Sequence, residues 1–199
     1  MCPHAPQSSI VYLHGLNSSP ASVKAQALGR AIATLPVDSR PEYFVPRLHH
    51  RPAAAMRAVG AWVDARSPAL LTLVGSSLGG FYATHLAEHY GAKAVLINPT
   101  VRPYEDLASH LGPQRNMYTG EDYELTREHF AELAALKVER ITRPQHYFLL
   151  TQTGDEILDW RAAVAFYGGA WQFVQGGGDH AFQQFDAQIP AILHFAQGA

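Results

Sequence analysis

The sequence predicts an α/β fold, built on one mainly parallel sheet of about six strands with helices on both faces. Three observations carry this. Short apolar runs rich in Val, Ile and Leu recur along the chain, separated by stretches of helical periodicity, and parallel neighbours need crossovers of that kind. The 199 residues are 47% hydrophobic and 16% charged, with nine Tyr, nine Phe and three Trp, which suits one core and excludes a disordered chain or a coiled coil. No internal repeat, low-complexity tract or linker divides the chain, so residues 1–199 read as a single domain.

Ser9 to Leu13 is a β-branched run that stops at His14-Gly15, as a buried parallel strand would. From Pro20 a helix is expected, with Val23, Ala27, Leu28, Ala31, Ile32 and Leu35 at helical spacing, Ser18 and Ser19 as candidate caps and Pro36 as its stop. Tyr43 to Val45 is the second strand, and Ala53 to Ala65 the second helix, opened by Pro52 and ended before Pro68. Leu70 to Val74 is the third strand. It runs into Gly75-Ser76-Ser77-Leu78-Gly79-Gly80, after which Phe81 to Tyr90 reads as a helix stopped by Gly91. Ala94 to Ile97 is the fourth strand. The fifth is His146 to Leu150, with a helix from Asp159 to Tyr167; the sixth is Trp171 to Val174, with a last helix from Phe182 to Ala196 kinked at Pro190. Residues 98–145 exceed what a simple crossover needs. Helical spacing in Tyr104 to Leu111 and in Tyr123 to Leu136, with breaks at Gly112-Pro113 and Thr119-Gly120, predicts a small helical cap insertion there.

Charge and composition narrow the partners. Fifteen Lys+Arg against seventeen Asp+Glu leave a formal charge of −2, and no basic cluster is dense enough to track phosphates, so no nucleic acid is expected as a partner. No apolar run approaches the roughly 20 residues that cross a bilayer, so no membrane is expected either. The single Cys2 cannot form an internal disulfide, and MCPHAPQSS lacks the basic and apolar regions of a secretion signal; a cytoplasmic location is the expectation. Nothing in the sequence sets an oligomeric state.

Gly75-Ser76-Ser77-Leu78-Gly79 fits G-x-S-x-G, with a strand expected before it and a helix after it, the setting of a nucleophile elbow. At this Gly and Ser content about 0.06 matches are expected by chance, so the pattern carries weight. Only Ser77 has glycine at both minus two and plus two. The alternative is a Gly-rich helix entry that holds a phosphate, but the lysine of a P-loop is missing. A serine hydroxyl needs a base, and of eleven histidines His180 alone comes after the sixth strand through the loop Gln175 to Asp179, at the same sheet edge as Ser77. Asp155, after the fifth strand, is the candidate to orient that imidazole, with Glu156 as its near alternative; the order Ser, Asp, His is that of the α/β-hydrolases. Asp159 and Asp179 read as helix caps. The backbone N–H groups of Leu16 and Leu78 are the candidate oxyanion donors. His14 reads as structural, and His85, His89, His129 and His194 as surface or satisfied core. His49-His50 suggests a metal, but no HExxH or Cys/His spacing accompanies it, so the pair is read as loop and no metal is expected. In the insertion, Tyr104, Met117, Tyr118 and Leu125 are candidates to line an acyl pocket, with ordinary packing as the alternative. Asn17 is either a substrate contact or a side chain that holds its own loop.

The stretches YLHGLNSSPASVKAQ, VGSSLGGFYATHLAE, INPTVRPYEDL, QTGDEILDWR and GGGDHAFQQF together resemble the bacterial YqiA-like esterases, a small branch of the α/β-hydrolases. The likeness spans almost the whole chain. The elbow, QTGDE and GGDHAF are specific, whereas HG after a strand is shared by many hydrolases. The resemblance implies an α/β-hydrolase-type sandwich and a triad of Ser77, Asp155 and His180. It also implies cleavage of carboxylic ester or thioester bonds in small acyl substrates, acyl-CoA-like compounds among them, with no cofactor. The loop Arg47 to Arg51 is more basic and His-rich than such relatives lead one to expect. Two other readings stay open: an acyltransferase or peptidase on the same fold, which would share every residue named, and a non-catalytic small-molecule binding module, for which a full nucleophile, base and acid set serves no purpose.

Overall fold

The computed structural model describes residues 8–66, 70–106 and 110–198. Among them the strands are β1 (Ser9–Leu13), β2 (Glu42–Phe44), β3 (Leu71–Ser76), β4 (Lys93–Ile97), β5 (Gly112–Arg115), β6 (Asp122–Leu125), β7 (Tyr147–Gln152) and β8 (Trp171–Gln175). The helices are α1 (Val23–Ala33), α2 (Pro52–Asp64), α3 (Leu78–Tyr90), α4 (Pro103–Asp106), α5 (Arg127–Ala135), α6 (Trp160–Phe166) and α7 (Ile189–Gln197). Six strands form one sheet in the order β2-β1-β3-β4-β7-β8, every neighbouring pair parallel.

The strands read as unbroken apolar runs because both of their faces are covered. Val11, Leu13, Leu73, Leu96 and Leu149 point into one core with Val59 of α2, Phe81 and Leu86 of α3 and Ala163 of α6. Ile10, Tyr12, Val74, Val95, Ile97 and Leu150 point into the other, against Leu28 and Ile32 of α1 and Ile189 and Ile192 of α7. The chain leaves β1 towards β2 and returns to β3 on β1's other side, so the strand order reverses between β1 and β3. At such a switch point the loops leaving neighbouring strands diverge and open a crevice. Here those loops begin at His14 and at Ser77.

Several boundaries differ from the sequence expectation. Residues 98–145 carry helices, α4 and α5, and also an antiparallel hairpin of β5 and β6 that helical spacing did not reveal. Tyr123 to Leu125 are strand, and the helix expected to start at Tyr123 starts at Arg127. Thr119-Gly120 lies in the hairpin turn, with Gly120 at φ +71°. The C-terminal part of the helix expected over Tyr104 to Leu111 crosses residues 107–109, which lie outside the described residues, as do Pro68 and Cys2. The last helix begins at Ile189, not Phe182, after a 3-10 turn at Phe185–Gln188; Pro190 lies in its first turn, where a missing N–H is tolerated, and does not kink it.

Candidate active site

The nucleophile candidate is held by backbone geometry. Ser77 lies between the last residue of β3 and the first of α3 at φ 55°, ψ −121°, a conformation that costs a non-glycine residue roughly 1–3 kcal/mol. Its N–H donates to the Ile97 carbonyl at 3.0 Å, and its own carbonyl accepts from Gly80 N–H at 2.9 Å. The flanking glycines are steric requirements. A Cβ on Gly75 would stand 2.2 Å from the Gly79 carbonyl oxygen, and one on Gly79 would stand 1.9 Å from that of Leu13.

The three residues singled out for chemistry meet at the carboxyl edge of the sheet. Ser77 Oγ stands 3.1 Å from His180 Nε2. On the far side of the ring, His180 Nδ1 lies 3.0 and 2.9 Å from the two Asp155 carboxylate oxygens. Assigning the ring proton to Nδ1 lets it donate to Asp155 and leaves Nε2 free to accept from the serine. Asp155 Oδ1 also accepts from the N–H groups of Ile157 and Leu158, both at 2.9 Å, which fixes the carboxylate plane. The Asp155 side chain is 1% exposed. Burial alone would raise its pKa, but the bonds from His180 and from the Leu158 and Ile157 amides together hold it below the ordinary carboxyl value. Glu156, the near alternative, instead accepts from His180 backbone N–H at 2.9 Å. Asp159 caps α6 by accepting from Arg161 N–H at 3.0 Å. Asp179 caps no helix, because α7 starts ten residues later; its side chain accepts from Gln183 Nε2.

Two residues that sequence reasoning did not single out hold the loop carrying His180. Gln152 ends β7 with no exposed surface. Its Nε2 donates to Gln175 Oε1 at 3.0 Å and to the Gln183 carbonyl at 2.9 Å, while its Oε1 accepts from the N–H groups of Asp179 at 3.2 Å and Gln183 at 2.8 Å. Asn98 comes directly after β4, in the left-handed region at φ 40°; its Nδ2 donates to the Asp179 and His180 carbonyls at 2.9 and 3.1 Å, and its Oδ1 accepts from Gln152 N–H at 3.0 Å. Both N–H of each amide are donated and both amide oxygens accept, which is what makes such polar groups tolerable in a core. The signal was a polar residue closing an apolar strand at the edge where the loops gather.

The loop after β1 comes close to the serine: a Cβ on Gly15 would lie 3.2 Å from Ser77 Cβ. His14, buried behind it, accepts from Leu48 N–H at Nε2 (3.3 Å) and donates from Nδ1 to the Gly15 carbonyl (3.0 Å), so one neutral tautomer satisfies both bonds. Burial holds its pKa below the usual imidazole value, the Gly15 bond offsetting part of the shift. Leu16 and Leu78 face a cavity of about 390 Å³ whose walls also include Ser77, His180, Thr100, Ile157 and Leu158. Leu78 is the first residue of α3, so its N–H has no partner inside the helix.

The substrate contacts expected from the insertion do not line this cavity. Asn17, at φ 53°, donates to Gln114 Oε1 at 3.2 Å and accepts from the Tyr123 hydroxyl at 2.8 Å, tying its loop to the hairpin. Tyr104 packs against the core, and Leu125, 3% exposed, is core as well. Met117 lies in the hairpin turn, 82% exposed. Tyr118 lines a neighbouring cavity instead. The insertion was expected to cap the pocket as helices; Tyr123 to Leu125 are instead strand, whose side chains alternate between faces.

The basic, His-rich loop at residues 47–51 fastens the insertion. Arg47 pairs with Glu121 at 2.9 Å; Arg51 pairs with Glu128 at 2.8 Å and with Glu132. His50 stacks on Tyr123 at 4.6 Å between ring centres, and its Nδ1 lies 3.0 Å from His129 Nε2. His129 is 2% exposed, and its Nδ1 accepts from Thr126 N–H at 3.1 Å, closing a capping box at the start of α5. Nδ1 being an acceptor, Nε2 carries the proton and donates to His50, so both rings are neutral. Burial, chiefly, holds both pKa values down. Among the described residues no group of three His, Cys, Asp or Glu is arranged to hold a metal, and no helix is long and apolar enough to cross a membrane.

Comparison with solved structures places the fold among the α/β-hydrolases. A putative hydrolase from Agrobacterium vitis S4 superposes with a TM-score of 0.78 at 18% identity, over 96% of this chain and 88% of that one. Mouse alpha/beta hydrolase domain-containing protein 10 gives 0.69 at 18% identity, over 94% and 89%. The monoacylglycerol lipase of Paleococcus ferrophilus gives 0.67 at 15% identity, over 96% of each chain. Residues 9–197 match the model of the uncharacterised protein family UPF0227, and with nearly the whole length covered the chain belongs to that family, the YqiA-like branch of the α/β-hydrolase fold.

Proposed function

We propose that the chain is a serine hydrolase that cleaves carboxylic ester or thioester bonds of small acyl substrates. The observation that carries this is the unbroken hydrogen-bonded line from Asp155 through His180 to Ser77 Oγ, with its serine end in a cavity of about 390 Å³. In the proposed reaction His180 Nε2 takes the Ser77 proton as Oγ attacks the acyl carbonyl carbon, and the backbone N–H groups of Leu16 and Leu78 receive the developing oxyanion. Collapse of the tetrahedral species breaks the bond to the leaving oxygen or sulfur, which takes the proton from His180. A water then gives a proton to His180 and attacks the acyl-Ser77 ester; the second collapse returns that proton to Ser77 and releases the carboxylic acid. Asp155 stabilises the imidazolium in both halves. The names of the structural neighbours, hydrolases and a lipase, support the same reading.

Steady-state hydrolysis of 4-nitrophenyl butyrate and labelling by a fluorophosphonate test it together. Ser77→Ala should abolish labelling and lower kcat by up to about 10⁶-fold, and Asp155→Asn should lower kcat by about 10⁴-fold. Wild-type turnover by Ser77→Ala would refute the assignment.

A further inference from the structure

We infer that a second cavity beside the nucleophile receives an anionic group, a carboxylate or phosphate carried by the substrate, at the amino end of α1; this rests on the hydrolytic reading above. The cavity measures about 400 Å³ and shares Gly15, Ser18, Lys24, Ser76 and Ala181 with the cavity that holds Ser77. One ligand can therefore occupy both, with its ester at the nucleophile and its charge in the second chamber.

Three features converge there. The helix α1 has eleven residues, no acidic residue in its first turn, and an N-cap, Ser22, whose side chain makes no capping bond. Its first N–H groups thus keep the partial positive charge that draws anions to helix amino ends. Ser22, in the cavity wall and 9% exposed, has a buried Oγ with no hydrogen-bond partner. A buried hydroxyl left unpaired is unfavourable, and an anionic oxygen drawn in beside it would accept its proton. Lys24, in the walls of both cavities, gives one N–H to the Ala181 carbonyl at 2.6 Å, and an ammonium has two more to donate. Burial holds its pKa below the usual lysine value, a loss that an incoming anion would reverse. Two carboxylates oppose the anion: Asp179, near enough to raise the Lys24 pKa, and Asp186, in the wall of the second cavity. They limit the expected discrimination to tens of fold.

The test compares kcat/KM on two ester pairs. The first is 4-(butyryloxy)benzoate and its methyl ester, with the charge on the leaving alcohol; the second is mono-4-nitrophenyl glutarate and 4-nitrophenyl butyrate, with the charge on the acyl side. The wild type should prefer the charged member of at least one pair by tenfold or more. Lys24→Met should lower that ratio at least tenfold. Ser22→Ala, which removes a hydroxyl that bonds to nothing, should lower it at least threefold. Equal turnover within both pairs, or a ratio that neither variant moves, would overturn the inference. Inorganic phosphate should compete with the charged ester, and less well in the double variant that combines Ser22→Ala with Lys24→Met. If phosphate instead speeds hydrolysis of the neutral ester without competing, the anion is a free effector and the substrate-borne claim falls. Should the wild type hydrolyse none of the four esters and resist the fluorophosphonate, the hydrolytic reading has failed. The site is then judged by titration calorimetry with phosphate: saturable binding lost in the double variant retains it, and no saturable binding removes it.

Discussion

Gln152→Leu keeps the size of a buried side chain and deletes four hydrogen bonds that reach the loop carrying His180. Of the partners left behind, Gln175 Oε1 can turn to water, but the N–H groups of Asp179 and Gln183 and the Gln183 carbonyl are backbone groups fixed by the loop's path. Residues 176–178 are exposed, so water partly relieves the loss, and the low end of the usual penalty, about 1 kcal/mol per group, is the appropriate figure. Three groups give about 3 kcal/mol against the native loop conformation, or about a 10²-fold drop in the fraction of molecules with His180 in register with Ser77. The assay is the rate of fluorophosphonate labelling at 25 °C, alongside a thermal melt showing that the variant is folded at that temperature. Gln152→Glu keeps the acceptor for the two N–H groups and loses the two donors, so its rate should fall between those of the wild type and Gln152→Leu. A folded Gln152→Leu protein that labels within threefold of the wild-type rate would refute the claim that this amide positions the base.

Gly79→Ala would set a Cβ 1.9 Å from the Leu13 carbonyl oxygen, backbone that β1 cannot move, so the urea midpoint should fall by the equivalent of about 3 kcal/mol or more. Tyr123→Phe removes the 2.8 Å bond to Asn17, and should cost about 1 kcal/mol while making residues 98–145 easier to cut in limited proteolysis. Stability should also respond to acid through His14, His50 and His129, whose folded pKa values lie below 6.5. Below that value the unfolded chain binds more protons than the folded one. Their contribution is therefore complete above pH 6.5 and is lost as pH falls through the lower folded values. Urea midpoints between pH 8 and pH 5 should track this course, and the acid limb should be shallower in His129→Asn; identical slopes would contradict the assignment of neutral rings.

The legible parts of this chain were those where local chemistry and global role coincide. Buried parallel strands announce themselves because both faces are apolar, and the elbow because a turn that tight admits only glycine two positions before and after Ser77. Asp155 and His180 were legible through topology: each lies just beyond a strand, and parallel strands all deliver their outgoing loops to one edge. Less legible were the features that depend on a distant partner. Asn98 and Gln152 look like ordinary strand-end polar residues until the His180 loop folds over them. The hairpin of β5 and β6 escaped because Gly112-Pro113, which opens β5, and Thr119-Gly120, in the turn, read equally well as breaks between helices. The cluster of Arg47, His50 and Arg51 hinted at ligand chemistry, yet its partners, Glu121, His129, Glu128 and Glu132, lie more than seventy positions away.

Ser77 and His180 are 103 positions apart in the chain, at the ends of strands separated by β4 and β7. On the proposed function neither stretch of polypeptide on its own can activate the hydroxyl, and a half-built sheet would be chemically silent. During refolding, incorporation of a serine-directed probe would report the moment when β3, β4, β7 and β8 have come into alignment. On that reading, two fragments cut at the hairpin turn would each be inert and gain reactivity only on joining, which would make Ser77 a gauge of the sheet's assembly.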